Sequence, residues 1–328
     1  MRAPDFWTAT TTGAKALSVV LSPLGVLYGA SVAWRRKTTH PFRSRARVLC
    51  VGNLTAGGTG KTPVALAFAH MLEERGCRVA FLTRGYGGEL AGPVLADTAW
   101  HTAADVGDEP LLLAAAARTI VARDRALGAA FADRMDIDVI VMDDGLQNFD
   151  VVKDASVIVI DSETGFGNGR LIPAGPLREG LSGLKRADAV ILMGDGHVSL
   201  PRTQVPVLRA RAEPLDPTAL QGRRVVAFAG IGRPEKFFRM LHQMGAEIVD
   251  TSAFPDHHVF SRAEMTRLRS LAREQTAELV TTEKDYLRLR PTERDGIHPV
   301  PIHVIFDDEA AARKILDKAM PSAEVRVL

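Results

Sequence analysis

RVLCVGN (residues 47–53) runs through Leu54 into TAGGTGKT (55–62), and the helical stretch PVALAFAHMLEERG (63–76) follows directly. A buried strand, a glycine-rich turn and a helix, in that order, are what phosphate binding on backbone amides requires. The turn exposes N–H groups, the helix N-terminus adds its dipole, Lys61 reaches the β and γ oxygens of a nucleotide, and Thr62 is placed to bind Mg²⁺. Thr55, Ala56, Gly57, Gly58, Thr59, Gly60, Lys61 and Thr62 are therefore the expected nucleotide cradle. The usual pattern G-x-x-x-x-G-K-[ST] asks for glycine where this chain has Thr55, but Gly57, Gly58 and Gly60 keep the turn permissive.

Outward from this turn, apolar runs alternate with helical stretches: RVAFLT, TIVA, DVIVMD, ASVIVID and ADAVILMG. Unbroken Val/Ile/Leu runs belong to strands covered on both faces, hence to a parallel sheet with helices on each side. The expected fold class is α/β, a P-loop NTPase-type doubly wound and mostly parallel sheet over 47–200. A Pro-rich polar stretch at 201–217 reads as an interlobe connection. VVAFAGI, EIVDTS, ELVTT and PIHVIF then suggest a second, smaller α/β lobe over 218–328.

The first 46 residues read differently. Of the chain's 328 residues, 1–47 hold eight Lys/Arg and one acidic residue, +7, which leaves −5 on the remainder. A basic end on an acidic globule suits an anionic membrane surface and argues against nucleic acid, which favours basic residues spread over a folded face. Ala16 to Trp34 carry no charge for 19 residues; as a helix they extend about 28 Å, against roughly 30 Å of hydrocarbon. Leu and Val favour insertion, while Pro23, Gly25, Gly29 and three serines oppose it, so a shallow or interfacial membrane-associating helix is expected, with Tyr28 and Trp34 at headgroup level. Arg35-Arg36-Lys37 after the apolar run disfavours export. The two cysteines, Cys50 and Cys77, have no disulfide or zinc spacing and fit a reducing cytosol.

Further chemistry-bearing residues recur along the core. DVIVMDDG sets Asp143 and Asp144 at the carboxyl end of a buried strand, where carboxylates that hold Mg²⁺ stand in P-loop enzymes. GDEP (107–110) puts an acidic pair near a helix start, although capping alone explains such a pair. GFGNGRLIPAGPLREG (165–180) is too rich in glycine and proline for regular structure, yet carries Asn168, Arg170 and Arg178, suited to anionic or hydroxylated groups. FPDHHVF offers Asp256, His257 and His258, whose adjacent side chains diverge too far to share a metal. The guanine-reading [NT]-K-x-D motif is absent, which argues against a GTPase. A membrane-associated P-loop ATPase switch of the partitioning type remains the competing class, but its K-G-G-x-G-K-[ST] signature has Ala56 here in place of the leading lysine.

Taken together and in order, TAGGTGKT, RGYGG, GDEP, DDGLQN, GFGNGRLIPAGPLRE, GIGRPEKFF, FPDHHVF and TTEKDYLRL resemble tetraacyldisaccharide 4'-kinase, the lipid A 4'-kinase of Gram-negative bacteria, across essentially the whole chain. Leu146 and Arg233 depart from the Phe and Asn common in that family. The resemblance implies transfer of the γ-phosphoryl of ATP, with Mg²⁺, to the 4'-hydroxyl of a tetraacylated glucosamine disaccharide 1-phosphate at the cytoplasmic face of the inner membrane. It implies catalytic roles for Lys61, for Asp108 as base and for His257 as its partner, and metal ligation by Thr62, Asp143 and Asp144. Asn168, Arg170, Arg178 and Arg125 are the expected contacts to substrate or to the moving phosphoryl group. Thr282, Glu283 and Lys284 are expected near the nucleotide or the hinge. Partners are then the lipid-linked sugar and an anionic membrane surface, and the chain is expected to act as a monomer.

Overall fold

The computed structural model describes residues 4–9 and 11–321; residues 1–3, 10 and 322–328 of the segments named above lie outside the described residues. Among the described residues thirteen strands follow in chain order: β1 (Arg47–Gly52), β2 (Val79–Thr83), β3 (Val94–Ala96), β4 (Arg118–Val121), β5 (Val139–Asp143), β6 (Ala155–Asp161), β7 (Ala189–Met193), β8 (Val207–Pro214), β9 (Arg224–Ala229), β10 (Glu247–Ala253), β11 (Glu278–Thr282), β12 (Ile297–Val300) and β13 (Ile302–Phe306). Between them lie α1 (Thr12–Thr38), α2 (Lys61–Glu74), α3 (Ala103–Val106), α4 (Asp108–Ala116), α5 (Arg125–Ala132), α6 (Pro234–Gln243), α7 (Arg262–Glu274), α8 (Glu283–Arg288) and α9 (Glu309–Leu316).

The large sheet has nine strands in the order β13-β8-β7-β6-β1-β5-β2-β4-β3, and the small one four, β10-β9-β11-β12. The seven inner strands of the large sheet run parallel, with β3 and β13 antiparallel at its edges. Alternation along β1 sorts its side chains between the two faces. Leu49 and Val51 join Phe68 and Leu72 of α2, Val48 joins Ala129 and Ala132 of α5, and Cys50 packs with Leu146, Leu177 and Val190. Chain order reverses on either side of β1, whose neighbours are β5 and β6, so a crevice opens at its carboxyl end, the usual ligand position of such sheets.

Two expected assignments change. The stretch 201–217 contains β8, which extends the large sheet beside β7. PIHVIF, expected in the smaller lobe, forms β13 and pairs antiparallel with β8, Ile302 opposite Pro214. Its Val304 and Phe306 enter the large-lobe core, where Phe306 stacks on Phe68 with ring centroids 5.4 Å apart. Such a pair adds about 0.5–1.5 kcal/mol beyond the area it buries. Local alternation marks a strand but does not name its partner, which is why sequence alone misplaced this one.

The small sheet is sandwiched too. Val225, Ala227 and Ala229 pack on Phe237 and Leu241 of α6, and Val226 and Phe228 on Met265 and Leu268 of α7. A capping box, Ser261 with Glu264, starts α7. α1 extends along the outside, capped by the Thr11 hydroxyl, and is long and apolar enough by composition to cross a bilayer.

Candidate active site

The glycine turn leaves β1 and enters α2 through Gly60, whose left-handed backbone (φ 86°), like that of Gly57 (φ 110°), suits glycine alone among common residues. Asn53 steadies the turn by donating to the Thr59 hydroxyl at 3.1 Å. Its front edge is held by the loop at 165–180: the Ala56 N–H donates to the Pro176 carbonyl at 2.8 Å and the Arg178 N–H to the Leu54 carbonyl at 2.7 Å. Thr62 and Lys61 open α2 with both side chains buried, pointing at the end of β5.

There the Thr62 hydroxyl donates to Asp143 Oδ2 at 3.0 Å, and Lys61 Nζ stands 3.8 Å from Asp144 Oδ2. Asp143 Oδ1 is buried and has no hydrogen-bond partner among the described residues. Burial, reinforced by the nearby Glu109 charge, pushes the Asp143 carboxyl up to about 7. Burial would also raise Asp144, but Lys61 and Arg178 outweigh it and hold that carboxyl below its ordinary range. For Lys61 burial works downward, and the Asp144, Glu109 and Asp143 carboxylates reverse it. An orphaned carboxylate oxygen beside a threonine hydroxyl and an ionised second carboxylate is an oxygen donor set suited to Mg²⁺. The loop carrying these acids is pinned by Lys153, whose ammonium donates to the carbonyls of Gly145, Leu146 and Asn148 at 2.6, 3.2 and 2.6 Å.

Asp108 is the first residue of α4, where the helix dipole favours an anion. It is almost fully buried and meets the small lobe: His257 Nδ1 lies 2.9 Å from Oδ2, Arg288 Nε donates to the same oxygen at 2.8 Å, and Lys284 Nζ is 3.3 Å away. Burial pushes the Asp108 carboxyl up, but the His257 hydrogen bond and the Lys284 and Arg288 charges outweigh it and hold it far below the carboxylate range. His257 takes a left-handed backbone (φ 59°) that turns its ring toward Asp108 and sets it 5.9 Å from the Tyr86 ring. Its neighbour His258 points elsewhere, stacked on Phe254 and paired with Glu264 at 3.1 Å.

The other expected residues divide. Arg178 Nη1 donates to Asp144 Oδ1 at 2.7 Å and lines the cleft. Arg125, the first residue of α5, is buried; its Nε has no hydrogen-bond partner among the described residues, while Nη1 donates to the Ala122 carbonyl, and burial lowers its pKa to about 10. Asn168 and Arg170 turn instead to α1, donating to the Ser18 and Ser22 hydroxyls at 2.9 and 2.5 Å. Thr282 caps α8 by accepting from the Asp285 N–H, while Glu283 and Lys284 line the cleft. Arg288 went unread in the sequence, although it follows Lys284 by four residues and so shares its helix face. Lys153 gave no local signal.

A cleft of about 1850 Å³ opens between the lobes, lined from Tyr28 and Arg35 of α1 past the glycine turn to Asp144, Arg178, His257 and Lys284; Asp108 and Asp143 are buried, each next in the chain to a lining residue, Glu109 and Asp144. A phosphate cradle, a pair of metal-competent acids and a buried acid–histidine couple, gathered at one cleft with Asp144 and His257 in its wall, define a P-loop phosphotransferase. The family model described as tetraacyldisaccharide-1-P 4'-kinase matches residues 17–321. Curated relatives named tetraacyldisaccharide 4'-kinase are 50% identical over 98% of this chain and 97% of theirs in Methylobacterium nodulans, and 48% identical over 96% of both chains in Rhodospirillum centenum. The crystal structure of LpxK from Aquifex aeolicus in complex with ATP is similar at TM-score 0.76 and 26% identity, covering 93% of this chain and 100% of that one. The chain belongs to the tetraacyldisaccharide 4'-kinase family and is an enzyme, a kinase of lipid A biosynthesis; the ATPase-switch class is not favoured.

Proposed function

We propose that Asp108, oriented by His257, is the base of 4'-phosphorylation in this chain. The phosphoryl donor is ATP, with Mg²⁺, and the acceptor is a lipid-linked disaccharide. In this reading Asp108 takes the proton of the 4'-hydroxyl as that oxygen bonds to the γ-phosphorus, the bond from phosphorus to the β–γ bridging oxygen breaks, and ADP leaves with the electron pair. The backbone from Thr55 to Thr62 cradles the phosphates and Lys61 neutralises their β and γ oxygens. Thr62, Asp143 and Asp144 hold Mg²⁺, which supplies charge neutralisation on the phosphates when bound. Arg178 and Arg125 add positive charge from the large lobe. One observation carries the assignment of the base: His257 Nδ1 and Asp108 Oδ2 meet at 2.9 Å from opposite lobes.

The surroundings extend the reading. An acylated acceptor leaves the bilayer only at about 0.8 kcal/mol per buried methylene, so the enzyme goes to its substrate. α1 serves as an interfacial helix at the cytoplasmic face of the inner membrane, its terminal Arg35, Arg36 and Lys37 meeting anionic lipid, and one chain suffices for the reaction.

The test is transfer of label from γ-³²P-ATP to tetraacyldisaccharide 1-phosphate. Lys61→Ala abolishes it, and Asp108→Asn lowers kcat about 10²–10⁴-fold, the usual worth of general-base help, both with folding and membrane pelleting intact. Wild-type turnover by Asp108→Asn removes it as base. Label released only as free phosphate would return the protein to the ATPase-switch class.

A further inference from the structure

The two oxygens of Asp108 are not equivalent. Oδ2 is crowded by the small lobe: His257 Nδ1 at 2.9 Å, Arg288 Nε at 2.8 Å, Lys284 Nζ at 3.3 Å, and Arg288 Nη2 closing on the same atom. Oδ1 accepts the Glu109 N–H at 3.0 Å, with His257 Nδ1 further off at 3.2 Å. Arg288 is as buried as the acid it faces and is itself fixed from behind. Its Nη1 donates to the Gly230 carbonyl at 2.7 Å and to Asp285 Oδ1 at 2.5 Å. Asp285, fully buried, is held by the Gly230 N–H at 3.0 Å and the Thr282 hydroxyl at 2.7 Å. The His257 N–H donates to that same Gly230 carbonyl at 3.2 Å, so both partners of the base are tied to one residue of the small lobe.

We propose that Arg288 is a positioning residue for the base: anchored by Asp285 and Gly230, it occupies Oδ2 from the small lobe and leaves Oδ1 as the oxygen that receives the sugar's proton. The assignment rests on Asp108 acting as base. A guanidinium suits this task because its planar fork bonds carboxylates in a fixed orientation, whereas an ammonium holds them only as a point charge. The groups facing Asp108 are His257, Lys284 and Arg288 from the small lobe and Glu109 from its own helix; Asp256 lies behind His257, 3.7 Å from Nε2. Arg288 is one of the charges that keep the carboxyl ionised at low pH. Its removal raises the Asp108 pKa, so the acid-side fall of kcat/KM moves to higher pH.

The experiment uses the full chain with tetraacyldisaccharide 1-phosphate and Mg·ATP across the acid to neutral range, with binding of a fluorescent ATP analogue measured alongside. Arg288→Met is expected to lower kcat about 100-fold, to move the acid limb up by about one pH unit, and to bind the analogue as the wild type does. In an Asp108→Asn background it causes no further loss, since the two residues act as a unit. Arg288→Lys keeps a cation against Asp285, and carries the same double-variant comparison should the methionine variant not fold; it is expected to lose about tenfold in kcat. A loss uniform across pH, no loss at all, or an equal loss added to Asp108→Asn overturns the assignment. Wild-type turnover by Asp108→Asn alone overturns the base instead, which separates the two failures.

Discussion

Asp143 is wholly buried, accepts from the Thr62 hydroxyl on one oxygen, has no partner among the described residues on the other, and feels the charge of Glu109. Such a group destabilises the fold when ionised. Its pKa rises from an ordinary 3.8 to about 7, so the cost is absent below 3.8, grows through that window and is complete above it. Asp143→Asn is therefore expected to stabilise the Mg²⁺-free protein by about 1–3 kcal/mol at pH 8 and by less at pH 5, while phosphoryl transfer is lost. Calorimetric melting at the two pH values checks this; an equal or lower melting temperature for the variant at pH 8 contradicts it. Much at this scale was legible, because DVIVMDDG, GDEP and TAGGTGKT each tie a side chain to the end of an element. The rest depends on contacts between segments distant in sequence. FPDHHVF on its own does not say which histidine turns inward; only the family resemblance named His257, and the fold decides it through the left-handed backbone at His257 and the aromatic stack that holds His258. Arg288 stayed hidden for the same reason, its partner being 180 residues away.

α1 shows how an element can be legible in kind and misread in detail. Its length and terminal basic cluster were plain, and Gly25 and Gly29 looked like obstacles to insertion. In the fold they form, with Ser18 and Ser22, the face that docks on the 165–180 loop. A Cβ at Gly29 would come within 2.6 Å of Leu171 Cδ1, and one at Gly25 within 3.0 Å of the Leu171 carbonyl. Away from that face, Val20, Val26 and Leu27 are each about two-thirds exposed. Asn168 and Arg170, expected at the substrate, instead fasten this helix to the loop whose Pro176 carbonyl holds the glycine turn. Anchoring and scaffolding therefore reside on different faces and separate by mutation. Replacing Val20, Val26 and Leu27 by serine removes roughly 3 kcal/mol of partitioning, about a hundredfold in vesicle binding, and leaves turnover of detergent-solubilised substrate near wild type. Gly29→Leu is expected to do the reverse, keeping vesicle binding and lowering turnover in detergent. Equal losses in both assays for either variant would show that the two faces are not independent.

Across the whole molecule the lobes are joined by two closely spaced crossings of the chain. The first leaves β8 at Pro214; the second is Pro301 alone, between β12 of the small sheet and β13 of the large one, and the Leu215 N–H bonds its carbonyl at 2.9 Å. Sequence announced two α/β units, but not that the chain returns to the first, because the return is set by β8–β13 pairing and the Phe68–Phe306 stack. Away from that hinge the lobes meet through ion pairs at two places. One is Asp108 and Glu109 with Lys284 and Arg288, beside a small apolar contact of Leu287. The other joins Asp161 and Glu163, at the end of β6, to Arg233 and Lys236 at the start of α6, with Lys236 Nζ 2.8 Å from Asp161 Oδ2 and Arg233 Nη1 3.0 Å from Glu163. Arg233 thus contributes to holding the lobes together. Pairs of this partly exposed kind are worth up to about 1 kcal/mol each. Arg233→Ala with Lys236→Ala is expected to shift the closed-to-open ratio about five- to thirtyfold toward open, from about 1–2 kcal/mol lost. Small-angle scattering then gives a larger radius of gyration than wild type, reversed by saturating Mg·ATP. High salt moves the wild type in the same direction, because exposed charges are screened within about 3 Å at 1 M. A radius unchanged by both the double substitution and salt would mean that the hinge and Leu287 alone set the lobe arrangement, and that these charges only decorate it.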